Sequence, residues 1–175
     1  MQTLALAGNP NCGKTTLFNK LTGAHQHVGN WAGVTVERRE GIVRGSSARL
    51  VDLPGLYSLE AFTLEEQVTR EFLLDGSYDA VMNLLDGTSL ERGLYLTLQL
   101  CELGCPMAVG IGMMDEVRAL GGAIDCGVLA RILGVPVVPV AARSGEGVGL
   151  LAEAARAGAR AGLPPRYGVA AEAAI

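Results

Sequence analysis

The sequence predicts an α/β fold, with a mostly parallel six-stranded sheet, one antiparallel edge strand and helices on both faces. Short apolar segments alternate with segments of helical periodicity along the chain. Each return to a parallel neighbouring strand requires a crossover, so this alternation favours a parallel sheet covered on both faces. A strand–turn–strand segment around Gly45 has no helix between its strands, and it supplies the antiparallel strand.

The elements are placed by hydrophobic spacing and by the residues that interrupt it. Strands are predicted at residues 3–7, 36–43, 48–53, 80–85, 107–111 and 135–140. Helices are predicted at residues 14–21, 64–74, 90–103, 124–133 and 148–161. Asp125 is the expected cap of the fourth helix. Residues 24–34 show no periodicity and predict a long loop, and such loops in compact domains are usually functional or mobile.

Composition limits the classes of function. The 175 residues suit one domain, which we place at residues 1–162 with a C-terminal tail or linker at 163–175. Lys and Arg total 14 against 18 Asp and Glu, which argues against a nucleic-acid partner because such domains carry a clustered basic face. The longest apolar run, residues 106–114, is too short for a membrane span, and the N-terminus lacks signal-peptide features. We therefore expect a cytoplasmic domain.

A phosphate-binding motif lies between the first strand and the first helix. Residues 8–15 read Gly-Asn-Pro-Asn-Cys-Gly-Lys-Thr and fit the P-loop pattern G-x-x-x-x-G-K-[ST]. Its glycines let backbone N–H groups turn around a β-phosphate at the positive end of the helix dipole. Lys14 is expected to reach the β- and γ-phosphates, and the Thr15 hydroxyl to bind Mg²⁺. The expected nucleotide contacts in this motif are Asn9, Pro10, Asn11, Cys12, Gly13, Lys14, Thr15 and Thr16.

Three residues farther along the chain extend the phosphate site. Asp52 ends a predicted strand, where a carboxylate can hold Mg²⁺ through water, and Gly55 can offer its N–H to a γ-phosphate. This D-x-x-G pattern is weak alone and gains weight downstream of a P-loop. Thr35 lies between the two motifs, where a threonine can cap Mg²⁺ in the triphosphate state and release it after hydrolysis. The expected Mg²⁺ ligands are therefore Thr15, Thr35 and Asp52.

A base-binding site is predicted at the ends of two later strands. Met113 and Asp115 follow one of them, and a carboxylate there can accept hydrogen bonds from guanine N1–H and its exocyclic amine, a pairing that adenine lacks. Ala141, Ala142 and Arg143 follow the last strand, where a backbone N–H can meet guanine O6. Both segments lie at the edge of the sheet where open α/β folds bind ligands. GTP and GDP are the expected ligands.

With these motifs in place, the chain resembles the N-terminal G domain of the ferrous iron transport protein B (FeoB) family of P-loop GTPases. The resemblance covers roughly residues 4–151. Its most specific segment is residues 27–37, His-Val-Gly-Asn-Trp-Ala-Gly-Val-Thr-Val-Glu, because other GTPases share the P-loop without this stretch. Further segments that resemble the family are residues 8–19, 52–59, 90–100 and 133–139.

The resemblance implies a Ras-like G domain that hydrolyses GTP slowly and regulates ferrous iron uptake. Leu56 stands where Ras-like enzymes have a water-orienting Gln, and an aliphatic side chain cannot polarise water. FeoB-like domains use K⁺, held by an Asn matching Asn11 and by carbonyls near Gly29 and Trp31. Such a cation can replace an arginine finger, an element worth about 10³–10⁵ in rate. The expected catalytic residues are Lys14, Asn11, Thr35 and Gly55.

The alternative role for Asn11 is in turn geometry alone, because asparagine is common in tight loops. Gly112 stands where the family has the Asn of its N-x-x-D motif, and Ala141 replaces the usual Ser or Thr. The first change removes a side chain that ties the base loop to the P-loop, and the second is expected to loosen the base-capping loop. Guanine selectivity and affinity are therefore expected to be weaker than in relatives.

The family's helical and membrane transport domains do not follow within residues 163–175. The resemblance implies a full-length protein at the inner membrane through that transport domain. Without the helical domain, apolar surface on the G domain is left uncovered, and we expect a possible homo-oligomer.

Two other classes of function stay open from the sequence. An RNA- or ribosome-associated GTPase of the Era or MnmE kind shares the Asn-containing P-loop, although the acidic composition speaks against it. A degenerate nucleotide-sensing module with little turnover is suggested by Gly112 and Ala141. His25 and His27 lie close together, but two imidazoles without a third ligand rarely bind a metal, so no iron site is assigned here.

Overall fold

The computed structural model describes residues 1–23 and 26–165. Its strands are β1 Thr3–Gly8, β2 Gln26–Asn30, β3 Glu37–Ile42, β4 Arg49–Asp52, β5 Ala80–Asp86, β6 Pro106–Gly112, β7 Val137–Pro139 and β8 Arg160–Ala161. Its helices are α1 Lys14–Thr22, α2 Leu64–Asp75, α3 Leu90–Glu102, α4 Met114–Ala119, α5 Cys126–Leu133 and α6 Val148–Ala157. A 3₁₀ turn at Gly87–Ser89 leads into α3.

The strands form one sheet in the order β2-β3-β4-β1-β5-β6-β7, with β8 also paired to β6. Pairing is parallel from β4 through β1, β5 and β6 to β7, whereas β3 is antiparallel to both of its neighbours. The predicted fold class, a mostly parallel α/β sheet with antiparallel pairing toward one edge, is confirmed. The carboxyl ends of β1, β4, β5, β6 and β7 therefore lie along one side of the sheet.

Two strands, β2 and β8, add to the six predicted from the sequence. The prediction of a loop throughout residues 24–34 is wrong for β2, which pairs with β3 at the sheet edge and leaves most of its side chains exposed. An edge strand held by backbone hydrogen bonds needs no apolar alternation, so hydrophobic spacing could not reveal it. His25, one of the two histidines considered as metal ligands, lies outside the described residues.

The last predicted helix, residues 148–161, is too long in the sequence-based prediction. α6 ends at Ala157 with Gly158 as its C-cap, and β8 then pairs with the start of β6. Alanine is the strongest helix former, so the Ala-rich sequence extended the prediction past the glycine where the helix stops. The predicted cap of α5 is confirmed, because the Asp125 side chain accepts a hydrogen bond from Val128 N.

Two hydrophobic clusters cover the two faces of the sheet, and β1 contributes to both. Ala5 and Ala7 point into the cluster beneath α2, α3 and α5, whereas Leu4 and Leu6 point into the cluster beneath α1 and α6. All six residues of β1 are buried. The loop that follows Gly8 is therefore attached to the most enclosed strand of the sheet. Within the described ranges, no helix combines the length and apolar character that crossing a bilayer requires.

Candidate nucleotide-binding site

The P-loop connects the buried end of β1 to the first turn of α1. Asn11 has φ 64° and Gly13 has φ 96°, so the loop contains two left-handed residues close together. Alternation of left- and right-handed residues directs successive N–H groups to one side and forms an anion-binding concavity. Gly13 is the N-cap of α1, and no side chain of the described residues caps that helix. The first N–H groups of α1 are therefore available to a phosphate.

Lys14 lies against this loop and is met from the other side by Gly55. Lys14 Nζ donates to the carbonyl oxygens of Gly8 at 3.2 Å and Asn9 at 3.1 Å. A Cβ at residue 55 would lie 2.9 Å from Pro10 N and 3.0 Å from Lys14 Nζ, so only glycine fits there without displacement. The D-x-x-G segment is thus packed directly on the P-loop.

The carboxyl group of Asp52 lies at the end of β4, beside the P-loop. Its Oδ1 is buried and has no hydrogen-bond partner among the described residues. Burial raises the pKa of Asp52 to about 6, against the opposing charges of Lys14 and Arg39. An unpaired buried carboxylate is costly unless a cation joins it. Thr15 is exposed in the first turn of α1, and its hydroxyl and the Asp52 carboxylate are both hard oxygen donors of the kind that Mg²⁺ prefers.

Thr35 lies toward the edge of the sheet at which β4 ends with Asp52. It is exposed, just before β3, and β3 pairs Arg39 with Asp52. Thr35 lies two residues before β3 begins and four residues before Arg39, the pairing partner of Asp52. Its predicted Mg²⁺ contact would require the segment between β2 and β3 to move toward the P-loop.

The two carbonyl donors predicted for K⁺, at Gly29 and Trp31, are not brought to Asn11 in this conformation. Gly29 lies in β2, which is separated from β1 by β3 and β4. Neighbouring strands are about 4.8 Å apart, so β2 lies roughly 14 Å from β1. The Trp31 carbonyl accepts a hydrogen bond from Val34 N at 3.2 Å. Asn11 itself is exposed on the P-loop.

The side chain of Trp31 fixes its segment to the body of the domain. It is 9% exposed, and its ring meets the Phe72 ring edge-on at a centroid distance of 5.3 Å. The Arg38 guanidinium also lies over the Trp31 ring, with Cζ 4.5 Å from the ring centroid. Assembly of a K⁺ site from these residues would therefore have to shift the backbone around Trp31 or release its ring.

The two predicted base-binding segments do come together. Met114 N donates to the carbonyl of Val140, the residue before Ala141, at 3.2 Å. Arg143 also forms an ion pair with Glu116 at 3.3 Å. Asp115 is partly buried in the first turn of α4, and Ala142 is partly buried in the facing loop. Met113 has φ 55°, which turns the chain sharply between β6 and α4.

Gly112 lies where β6 approaches the P-loop. A Cβ at this residue would be 3.0 Å from the Leu85 carbonyl oxygen and 3.3 Å from that of Cys12. A side chain here would therefore lie directly against the P-loop backbone. Its absence removes a direct link between the base end and the phosphate end of the site.

Two predicted P-loop residues, Asn9 and Cys12, have side chains turned away from solvent. A third residue, Arg92, contacts the P-loop although the sequence did not indicate it. Cys12 and Asn9 have buried side chains, so Cys12 can reach a nucleotide only through its backbone. Asn9 Nδ2 donates to the carbonyl of Arg92, on α3, at 3.3 Å. Arg92 was part of a family-like segment, but nothing in its spacing indicated a P-loop contact.

These features define a P-loop GTPase domain. They are a P-loop between a central strand and a helix, an acidic residue and a glycine after the neighbouring strand, and a base loop beyond them. The family model FeoB_N, ferrous iron transport protein B, matches residues 2–155. The chain therefore belongs to the FeoB family, as an N-terminal G domain.

Relatives of known identity agree with this assignment. The Fe(2+) transporter FeoB of Salmonella typhimurium is 50% identical over 152 residues, which are 83% of this chain and 20% of the transporter. A mutant of S. thermophilus NFeoB bound to GDP matches with a TM-score of 0.95 at 43% identity, covering 99% of this chain and 69% of that one. Another S. thermophilus NFeoB mutant, bound to GDP.AlF4-, gives a TM-score of 0.85 at 43% identity with the same coverage. The chain spans about a fifth of the length of the curated relatives it matches.

Proposed function

We propose that this domain binds GTP and GDP with Mg²⁺ and hydrolyses GTP slowly. The observation that carries the proposal is the packing of Lys14, Gly55 and the unpaired Asp52 carboxylate on the P-loop. One ammonium, one backbone N–H and a carboxylate that can hold a divalent cation, all at one place, suit a chain of phosphates better than any other common ligand. The GDP and GDP.AlF4- complexes of S. thermophilus NFeoB mutants support the same ligand class.

Each residue has a stated part in this proposal. The P-loop N–H groups and the Lys14 ammonium bind the β- and γ-phosphates, and the Gly55 N–H meets the γ-phosphate. Thr15 and Asp52 would hold Mg²⁺, which neutralises charge between those phosphates. Thr35 would complete the metal site after a movement of its segment. Asp115 selects guanine, with Ala141, Ala142 and Arg143 covering the base.

Slow hydrolysis follows from the residue after the D-x-x-G motif. Leu56 is fully buried, and its N–H donates to the Gly8 carbonyl at 3.3 Å, so its side chain cannot approach an attacking water. Charge that develops on the γ-phosphate must then be met by another group. We propose that K⁺ supplies it, held by Asn11 and by the Gly29 and Trp31 carbonyls once their segment has moved.

Binding is tested by calorimetry of the domain with GDP or ADP, with Mg²⁺ present. We expect uptake of GDP and a clear preference for it over ADP, because only guanine satisfies the Asp115 carboxylate. No uptake of any guanosine di- or triphosphate would refute the proposal. Equal affinity for GDP and ADP would refute the assigned role of Asp115 and leave a general nucleotide site.

Turnover is tested by phosphate release in KCl and in NaCl at equal ionic strength. We expect faster release in KCl, and we expect Asn11→Ala to remove the difference without abolishing GDP binding. If Asn11→Ala keeps the stimulation, Asn11 serves loop geometry and the K⁺ assignment is wrong. If release is undetectable in both salts while GTP binds, the domain is a nucleotide sensor rather than an enzyme.

In the full-length protein, we propose that nucleotide turnover regulates ferrous iron uptake by the membrane transport domain, from the cytoplasmic side of the inner membrane. The support is family membership together with the name of the Salmonella typhimurium relative. The division into a G domain at residues 1–162 and a tail at 163–175 belongs to the same proposal, as does self-association through uncovered apolar surface. Sedimentation at high concentration tests the last point, and a monomer would contradict it.

A further inference from the structure

One residue outside the predicted site joins its two phosphate-binding segments. The carbonyl of Arg92, in the first turn of α3, accepts the hydrogen bond from Asn9 Nδ2 at 3.3 Å. Its guanidinium lies over the ring of Tyr57, with Cζ 4.0 Å from the ring centroid. Tyr57 is two residues beyond Gly55. The backbone of Arg92 therefore contacts the P-loop, and its side chain contacts the D-x-x-G segment.

The segment that carries Tyr57 has no regular secondary structure and depends on contacts of this kind. Leu56 N donates to the P-loop carbonyl of Gly8 at 3.3 Å. Leu59 N donates to Gln99 Oε1, on α3, at 2.8 Å. The stacked ring lies between these two hydrogen bonds. Loss of the stacking contact would leave the 3.3 Å hydrogen bond of Leu56 N as the one of these three contacts next to Gly55, so that Gly55 would be held less firmly.

We infer that Arg92 is a positioning residue for the γ-phosphate: its guanidinium fixes Tyr57 and thereby holds the Gly55 N–H at the P-loop. The inference rests on the proposed function. Gly55 is packed so closely on Pro10 and Lys14 that a small displacement changes which atoms its N–H can reach. GDP has no γ-phosphate, so the side-chain contact acts on triphosphate binding and hydrolysis alone.

The two contacts of Arg92 can be separated by mutation. Arg92→Ala removes the guanidinium and keeps the carbonyl that Asn9 uses, so the P-loop link survives. A cation–π contact at an exposed site is worth about a two- to fivefold change in an equilibrium constant. We therefore expect Arg92→Ala to weaken a non-hydrolysable GTP analogue by about two- to fivefold and to leave GDP affinity unchanged. The turnover number should fall by a similar factor.

Five further variants, one of them a control, distinguish positioning from bulk stability. Arg92→Lys keeps a cation over the ring and should retain most of the triphosphate affinity. Tyr57→Phe keeps the ring and should behave like wild type, whereas Tyr57→Ala should match Arg92→Ala. The double variant Arg92→Ala/Tyr57→Ala should be no worse than either single change, because both remove one contact. Arg131→Ala, an exposed arginine on α5, is the matched control and should change neither ligand.

The affinity ratio between the GTP analogue and GDP is measured for each variant by titration of a fluorescent nucleotide. Equal weakening of both ligands, additive effects in the double variant, or Arg92→Lys as defective as Arg92→Ala would each overturn the inference. A wild-type domain that binds neither ligand refutes the proposed function itself. A wild type that binds both, with an unchanged ratio in Arg92→Ala and Tyr57→Ala, refutes only the role of Arg92.

Discussion

The phosphate end and the base end of the site are built by different means. At the phosphate end, Asn9 is 6% exposed and Cys12 is 2% exposed. The P-loop follows β1, which is buried along its whole length. At the base end, the Arg143 side chain is 78% exposed in its ion pair with Glu116. The phosphate end is held by the sheet and by backbone geometry, whereas the base end combines backbone hydrogen bonds with ion pairs on the surface.

This difference indicates whether the domain binds the phosphates or the base of a nucleotide more tightly. Buried contacts are barely screened by salt, whereas exposed ion pairs are screened and contribute little. The glycine at residue 112 removes a side chain at the point where the base end meets the P-loop. We therefore expect tight recognition of the phosphates and weaker recognition of the guanine base.

The largest effect should come from removing the Lys14 ammonium. Lys14→Ala deletes the cation that meets the phosphates, and a hydrogen bond to a charged group is worth about 1.5–3 kcal/mol. We expect GTP affinity to fall by up to about 100-fold, because each 1.4 kcal/mol is tenfold. Lys20→Ala, at the other end of the same helix, is the control and should have no effect in calorimetry. A Lys14→Ala domain that bound GTP normally would show that the P-loop is not the phosphate site.

A second prediction concerns the unfolding free energy that the domain loses by burying the Asp52 carboxylate. Its pKa is raised to about 6, so above that pH the folded domain holds a charge that the unfolded chain solvates better. Stability from this group is therefore present at low pH and is lost as pH rises from its ordinary pKa toward about 6. Asp52→Asn should raise the unfolding free energy of the nucleotide-free domain at pH 7.5 by on the order of 2 kcal/mol.

The measurement is urea unfolding without nucleotide at pH 7.5 and pH 5, where the gain should shrink because wild-type Asp52 becomes protonated. Asp75→Asn, at an exposed position, is the control and should show no such dependence on pH. The same Asp52→Asn domain should lose most of the Mg²⁺ dependence of its GDP binding. A variant that is less stable at both pH values would mean that the carboxylate is not a buried, unpaired charge.

The sequence predicted the phosphate end better than its surroundings, and the reason is physical. A P-loop needs fixed residues at fixed spacing because the chain itself wraps the ligand. The motif that contains Gly13, Lys14 and Thr15 can therefore be recognised from the sequence alone. The strand β2 could not be predicted, because an edge strand with exposed side chains has no hydrophobic periodicity. The link from Asn9 to Arg92 joins residues far apart in sequence through a backbone carbonyl, which leaves no pattern in residue types.

A smaller effect is expected from restoring the side chain missing at residue 112. Gly112→Asn places an amide within reach of the Cys12 carbonyl, and one net hydrogen bond is worth about 0.5–1.5 kcal/mol. The added Cβ is tight against the Leu85 carbonyl at 3.0 Å, which offsets part of the gain. Gly112→Ala carries that crowding without the amide and is the matched control. We expect the Asn variant to bind GDP a few-fold more tightly than the Ala variant in calorimetry. Equal affinities would mean that a side chain at residue 112 does not support guanine binding.

The smallest effect should come from the ion pair that closes the base end. Arg118 donates to both carboxylate oxygens of Glu146, at 2.8 Å and 2.5 Å, and both side chains are about half exposed. This pair holds the loop after β7 against α4, so Arg118→Ala should speed GDP release by less than about twofold at low salt. At 1 M salt the difference should vanish, because charges are screened over about 3 Å. Stopped-flow release at both salt concentrations measures this, with Arg70→Ala on α2 as the control. A large, salt-independent change would mean that the base end is held as firmly as the phosphate end, and the contrast between them would fail.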